Sequence, residues 1–588
     1  MRAAVRSLAF ALLAAAAAPA CSAQGAPPAE HVGSARSAPA RPPQQRKVKL
    51  AVIGTSDLHG HIDMLPALAG HLANLRASGE VDATLLVDGG DLFQGTLESN
   101  PNEGAAVIAA YNQIGYAASA VGNHEFDFGP EGERAVPGPG DDPRGALKAR
   151  AAAAHFPFLA ANVIDSATGK PVAWPHFAPS VMVERAGVRI GIIGISTEST
   201  PHTTMASNFA GLSIAPLAPT IADEAARLRG RGAQVVVVTA HAGGRCRDLD
   251  DASDVASCEP DQEIFQVARA LPPGAVDVIV GGHTHSGVAH EVAGIAIVQS
   301  FSGGVAFGRV DLVVDPARRR GAVLERHIHP PRFVCGERAA PRSDRDAEPA
   351  ACRPSPYAGR PVAPDAKVAA VVEPFVESAR KQRDRQLGVV VDAPVRRAHG
   401  QESALGNLFA DLMRASARDA DVAITNGGGL RADLPAGPLT YGSLYQAMPF
   451  DNRFARVRLT GAQLGHIVAT NLAKDSGIFS LSGVRATARC RGAELKVTLQ
   501  REDGRRVRDR DRLVLLTSDF LATGGDGMMA GLELPDGAVR LDEGATIRDA
   551  LAEVLRARGG HLSGDDRHLI DKRAPRIALP GPRPVKCK

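Results

Sequence analysis

After its N-terminus, no stretch of the 588-residue chain is long and apolar enough to cross a bilayer, which takes about 20 residues. A charge excess is also missing. Lys and Arg number 67 against 64 Asp and Glu, a net charge of +3, so nothing in the balance asks for nucleic acid or an anionic membrane as partner. The seven cysteines have no metal-ligand spacing, and there is no internal repeat. What remains is an ordinary soluble globular composition, 44% hydrophobic and 22% charged, on a chain too long for one core. Two or more domains are expected.

The N-terminus reads as a targeting segment. Arg2 and Arg6 precede the apolar run 8–18, and Ala18-Pro19-Ala20 is an A-x-A cleavage signal. Cys21 follows at once and resembles a bacterial lipoprotein box, although Pro19 is unusual in one. Export is therefore expected, to the periplasm or cell envelope, with lipid on Cys21 and free secretion both open; a membrane enters only through that lipid. With Cys21 set aside, six cysteines remain, an even set that suggests disulfides in an exported chain. Cys246 with Cys258 and Cys335 with Cys352 are close enough to close local loops, and Cys490 with Cys587 would tie down the C-terminus. Scattered free thiols are the alternative.

The chain divides by composition into a signal peptide 1–20, a tether 21–45, a first domain 46–330, a Pro-rich and charged linker 331–364, a second domain 365–579 and a tail 580–588. In the first domain, short apolar runs such as Lys49–Thr55, Thr84–Asp88, Gln234–Thr239, Val276–Val280 and Ala296–Ser300 alternate with helical stretches. Met64, Leu65, Leu68, Leu72 and Leu75 share one helical face. The fold class expected is layered α/β, followed by a second mixed α/β domain that opens on a helix from about Asp365 to Gln386.

Each strand expected in the first domain ends in a candidate metal ligand. Lys49–Ser56 leads to Asp57 and His59, Thr84–Gly90 to Asp91, Ser119–Gly122 to Asn123 and His124, Gln234–Ala240 to His241, and Val276–Gly282 to His283 and His285. Open α/β sheets bind ligands beyond the carboxyl ends of their strands, so these positions would converge. A single His after a strand is ordinarily structural; five such segments in order are not so easily explained. Two carboxylates, one amide and four imidazoles suit Zn, Mn, Co or Fe and not the all-oxygen shells of Ca or Mg. Seven ligands exceed one tetrahedral ion, so two divalent transition-metal ions sharing a bridging Asp are expected.

These blocks resemble a known group. Thr55-Ser56-Asp57-Leu58-His59-Gly60, Gly89-Gly90-Asp91, Gly122-Asn123-His124-Glu125, Thr239-Ala240-His241 and Gly281-Gly282-His283-Thr284-His285 look like the five signature blocks of calcineurin-like metallophosphoesterases. Gly122 to Asp127 has the form typical of the 5'-nucleotidase family, which includes bacterial UDP-sugar hydrolases and animal ecto-5'-nucleotidase. Leu405-Gly406-Asn407-Leu408, Thr425 to Arg431, Met448-Pro449-Phe450 and Asp519 to Gly527 resemble that family's C-terminal nucleotide-binding domain.

The resemblance implies roles. One ion would be held by Asp57, His59, Asp91 and His285, the other by Asp91, Asn123, His241 and His283. A metal-activated water would attack phosphorus. His124 would contact the phosphate and aid the leaving alkoxide, with Asp127 orienting its ring. Asn426 and Arg431 match substrate-binding positions, Phe450 and Phe520 a pair that sandwiches the base, and Asp526 a ribose-contacting carboxylate. Read alone, the two Phe are more readily core residues. Where the family often has an Arg before the Leu-Gly-Asn-Leu block this chain has His399, with Arg396 and Arg397 nearby, and Pro130–Asp142 looks like a loop insertion.

The expected enzyme is a metal-dependent phosphoric ester hydrolase that converts nucleoside 5'-phosphates, a small-molecule substrate, to nucleoside and phosphate. The same residues leave room for a 2',3'-cyclic nucleotide phosphodiesterase, a nucleotide-sugar pyrophosphatase or a sulfur-compound hydrolase. A nucleotide-binding surface protein with decayed catalysis is the alternative of a different class; the intact ligand set and the His124–Asp127 pair argue against it.

Overall fold

The computed structural model describes residues 46–132, 134, 136–336, 353–475 and 477–587. The signal peptide, the tether, Cys21, part of the linker and Cys352 lie outside the described residues. From Arg46 on, the described residues form one compact unit.

Two sheets face one another in the first half. One has seven strands in the order Val323–Phe333, Ala306–Val314, Val48–Thr55, Ala83–Asp88, Ala118–Ala120, Phe158–Leu159 and Phe177–Ala178. The other has six, Gly287–Val292, Ile295–Ser300, Val278–Gly281, Val235–His241, Val188–Ser196 and Ser180–Arg185. The central strands of both are parallel.

The apolar runs are continuous because both faces are covered. Leu50 and Val52 face Val235, Val237 and Val280 between the sheets. Their neighbours Ala51 and Ile53 turn outward to Leu68, Leu72 and Leu75 on the helix Leu65–Ser78. Val236 and Val238 turn to the helices Leu217–Gly230 and Glu263–Ala270. The result is four layers, helix, sheet, sheet, helix, built on a period of two along each strand.

Boundaries differ from the sequence reading by small steps. The strand expected over Val276–Val280 is Val278–Gly281, and that expected over Ser119–Gly122 is Ala118–Ala120. His241 is the last residue of its strand and not the residue after it.

The helix expected from Asp365 spans Ala366–Arg383, and the Asp365 carboxylate accepts from the amides of Lys367 and Val368 as its N-cap. It serves both halves: Val368 and Val372 enter the core beneath the first sheet, Ala379 that of the second half. The segment before it is held too. Asn74 Nδ2 donates to the carbonyls of Arg360 and Pro361 at 3.2 and 3.0 Å, and the amide of Asp365 to Pro66 at 2.8 Å.

The second half is organised on a five-stranded mixed sheet in the order Phe479–Ser482, Val422–Asn426, Arg512–Ser518, Arg453–Thr460, Val539–Thr546. Ala423 and Leu516 face the helix Ala404–Ser416, and Val422, Ile424 and Leu515 face the helix Gly461–Leu472. The disulfides Cys246–Cys258 and Cys490–Cys587 are formed. Among the described residues no helix is long and apolar enough to cross a membrane.

Candidate metal centre and cleft

The parallel strands end together, and the seven expected ligands meet beyond their ends. Two groups form, Asp57 with His59 and His285, and Asp91 with His241 and His283, the ligand atoms within each lying within 4.8 Å of one another. Asp91 faces both groups: its Oδ2 is 3.1 Å from His241 Nε2 and 3.8 Å from His59 Nε2. Asn123 joins the second group, its Oδ1 3.0 Å from His241 Nε2 and 3.1 Å from His283 Nδ1. Its Nδ2 donates to the Thr203 carbonyl, which fixes the amide oxygen toward the cluster.

Five of the seven have left-handed backbone: Asp57, His59, Asp91, His283 and His285, with φ between 48° and 74°. Side chains with a Cβ rarely adopt this region, and its cost is about 1–3 kcal/mol at each residue. The turns are clamped. Glu125, buried, accepts from the amides of Asp91, Leu92 and Gly122 at 2.8, 2.6 and 2.6 Å. Gly122 must be glycine because a Cβ there would lie 2.1 Å from Asp91 Oδ1. Glu125 lies inside a recognised block but was not singled out as a site residue; a buried acid between ligand turns is the signal that would have found it.

The donor set fits cations. His241 gives its Nδ1 proton to the Gly89 carbonyl at 2.9 Å, so its Nε2 turns a lone pair toward Asn123 Oδ1 and Asp91 Oδ2, both acceptors. Only a positive charge between them relieves that convergence. Buried Asp57 Oδ2 has no hydrogen-bond partner. The electrostatics say the same: burial works against a charged His241, yet Asp91 raises its pKa to about 10, a proton standing where a metal ion would. Burial and the charge of His241 push His283 down to about 3. Burial pushes Asp91 up, but His241 and His124 hold it well below the usual carboxylate range.

Beside the cluster, His124 Nδ1 is 2.5 Å from Asp127 Oδ2, and Thr204 Oγ1 donates to Asp127 Oδ1 at 3.0 Å. Burial opposes charge on His124, but Asp127 and Asp91 outweigh it and raise its pKa.

A cleft of about 1420 Å³ runs from this cluster to the second half, and its walls include Asn426, Arg431, Phe450, Phe520 and Asp526. Two of these stand at the carboxyl ends of strands as well. Asn426 ends Val422–Asn426, and Phe520 follows Arg512–Ser518. Asn426 Nδ2 donates to Asp526 Oδ2 at 2.6 Å. Arg431 Nη2 lies 3.4 Å from His285 Nδ1, and its guanidinium sits 5.9 Å over the Phe450 ring. Phe450 and Phe520 are half-buried cleft residues. Arg397 and His399 line the cleft, whereas Arg396 is exposed and pairs with Asp433 at 3.7 Å. Glu131 and Gly132 of the Pro130–Asp142 stretch reach its wall, as does Arg245, which the sequence reading passed over.

Comparison with known proteins accords with this geometry. Residues 50–287 match the calcineurin-like phosphoesterase family and residues 382–532 the 5'-nucleotidase C-terminal domain. The endonuclease YhcR of Bacillus subtilis is 26% identical over 82% of this chain, which spans only 37% of that protein's length. A probable 5'-nucleotidase of Treponema pallidum is 26% identical over 89% of this chain and 94% of its own. In fold, the 5'-nucleotidase precursor of Thermus thermophilus superposes with a TM-score of 0.66 at 22% identity, covering 91% of this chain and all of its own. Residues 50–287, which carry the clustered side chains, are thus a calcineurin-like phosphoesterase domain, and residues 382–532, across the cleft, are a 5'-nucleotidase C-terminal domain.

Proposed function

We propose that the chain hydrolyses nucleoside 5'-phosphates to nucleoside and phosphate at a dinuclear centre. The observation that carries this reading is that one cleft joins the ligand cluster and His124 to Arg431, Phe450 and Phe520. A phosphate at one end and a base at the other would be held at once.

Asp57, His59, Asp91 and His285 would hold one divalent ion and Asp91, Asn123, His241 and His283 the second; imidazole with carboxylate favours Zn, Mn, Co or Fe. Such ions, when bound, act as Lewis acids toward phosphoryl oxygens and lower the pKa of water. The chain's own groups supply the rest. His124, charged and oriented through Asp127, stabilises the leaving alkoxide and gives it a proton. Arg431 binds the phosphate from the opposite side. Phe450 and Phe520 stack the base, and Asp526, steadied by Asn426, accepts from the ribose hydroxyls.

The domain limits given above, 46–330 and 365–579, belong to this proposal, as does export. Export is supported by the A-x-A signal before Cys21 and by two formed disulfides, which persist in oxidising compartments.

The test is phosphate release from AMP, other nucleotides and an aryl phosphate, with Mn, Co or Zn and with chelator. Chelator-sensitive release from AMP is expected. Release from the aryl phosphate alone would reject the nucleotide reading and leave a metallophosphoesterase of other substrate.

A further inference from the structure

We infer that the exposed face of the three-stranded sheet Glu494–Arg501, Val484–Arg491, Ile577–Ala578 docks on a bilayer of anionic phospholipid. None of its residues lines the cleft, so the inference is independent of the nucleotide reading above. The sequence reading admitted a membrane only through a lipid on Cys21, because a net charge of +3 averages a local excess away.

The strands alternate inward and outward. Val484, Ala486, Ala488 and Leu499 are buried in the core of the second half, and Leu495 and Val497 pack against it. The residues between them are exposed. Register sets these in rows, with Arg491 opposite Glu494, Arg489 opposite Lys496, Thr487 opposite Thr498 and Arg485 opposite Gln500. The chain then turns back along the edge. Arg506 forms a bridge with Gln500, and the amide of buried Val507 donates to the Leu499 carbonyl at 2.9 Å, so Arg506 and Arg508 join the exposed face. That face carries Arg485, Arg489, Arg491, Lys496, Arg506 and Arg508 against a single carboxylate, Glu494.

Glu494 is taken by Lys496, whose Nζ is 3.4 Å from Glu494 Oε2. Arg489, Arg491, Arg506 and Arg508 have no ion-pair partner among the described residues. Arg485 Nη1 donates to the uncharged Ala574 carbonyl at 2.6 Å. The acids nearby are engaged elsewhere, Glu502 with Arg414 and Asp503 with Arg505, and Asp509 to Arg512 alternates acid and base. Like charges directly opposite, as in Arg489 and Lys496, weaken a sheet, and an anion over them relieves the repulsion. Guanidinium favours phosphate, to which it presents a fork of donors. No aromatic stands on the face to stack a base, as single-stranded nucleic acid would ask, and no large apolar side chain to enter a bilayer core. Rows of cations spread over a surface match phosphates spread over a surface, and adhesion by charge alone is weakened by salt.

The experiment uses the full chain with Cys21→Ser, so that no acyl group contributes. Vesicles are of phosphatidylcholine alone or mixed with phosphatidylglycerol. Co-sedimentation should show binding to the anionic vesicles only, lost as salt is raised. Arg489→Gln with Lys496→Gln should lower the partition coefficient roughly 30-fold, at about fivefold for each cation removed. Arg506→Gln with Arg508→Gln should act likewise. All four positions are exposed, so the variants are expected to fold, and circular dichroism verifies it. Arg319→Gln with Arg320→Gln, exposed between the strands Ala306–Val314 and Val323–Phe333, removes the same charge elsewhere and should bind within about twofold of the parent chain. Equal loss in that control pair, equal binding to phosphatidylcholine alone, or no binding to anionic vesicles overturns the inference. Release of the chain from vesicles by a single-stranded oligonucleotide at equal phosphate concentration would make the face a nucleic-acid surface and overturns it as well.

Discussion

The ring of Phe450 lies 5.5 Å from that of His124, centroid to centroid. A residue of the second half thus stands beside the imidazole at the centre of the first. The two halves meet around that contact: Asn100 Nδ2 donates to the Pro449 carbonyl at 3.1 Å, Tyr445 OH to the Thr96 carbonyl at 3.2 Å, and Arg383 pairs with Glu98.

This proximity separates the two aromatic positions. Loss of base stacking, about 1–3 kcal/mol per contact, should raise KM for AMP about 5- to 150-fold in either Phe450→Ala or Phe520→Ala. On a small aryl phosphate, Phe520→Ala should change little. Phe450→Ala should lower kcat for that substrate as well, because it removes packing beside His124. Steady-state kinetics on both substrates, after circular dichroism verifies folding, make the comparison; equal losses on both substrates in Phe520→Ala would mark it as a core residue.

His124→Ala should lower kcat by about 10²–10⁴-fold with metal content near that of the wild type. Asp127→Asn keeps the shape but removes the charge beside Nδ1, and should cost less than His124→Ala on the same assay. Full kcat in His124→Ala would refute its role.

Metal content gives a third check. Purified protein should hold close to two transition-metal ions per chain by inductively coupled plasma mass spectrometry, as the two ligand groups suggest. Asp91→Ala should disturb both sites, since Asp91 faces both groups, whereas His241→Ala should disturb chiefly one. Activity surviving exhaustive removal of metal would reject the mechanism.

The Cys490–Cys587 bridge closes a loop with a sequence separation of 97. Replacing both cysteines with serine should lower stability by about 2–4 kcal/mol, since the unfolded chain regains that loop's freedom. Denaturant unfolding measures the loss. The bridge is outside the cleft walls, so AMP turnover at low temperature should persist.

The ligand cluster was legible in the sequence because its signal is local: an apolar run, then Asp, Asn or His within a few residues. The pairs Cys246–Cys258 and Cys490–Cys587 were suggested by parity and spacing. Arg245, which lines the cleft, was not, because a lone Arg after a glycine pair has no local signature. The hold of Asn74 on residues 360 and 361 was hidden likewise, since it uses backbone carbonyls that no side-chain pattern reports. The helix Ala366–Arg383 starts where its cap predicts, yet its division between two cores depends on partners far along the chain.

The left-handed turns at Asp57, His59, Asp91, His283 and His285 have an evolutionary consequence. Glycine and asparagine accept that backbone at lower cost, so selection for stability alone would replace all five. On the proposed mechanism, the need to bind cations opposes it. In a lineage released from catalysis, these positions should drift first toward glycine or asparagine, while the clamp at Glu125 and the apolar strands stay unchanged. A relative with an intact core and relaxed residues at these five turns would be a former hydrolase, recognisable by its backbone before any assay.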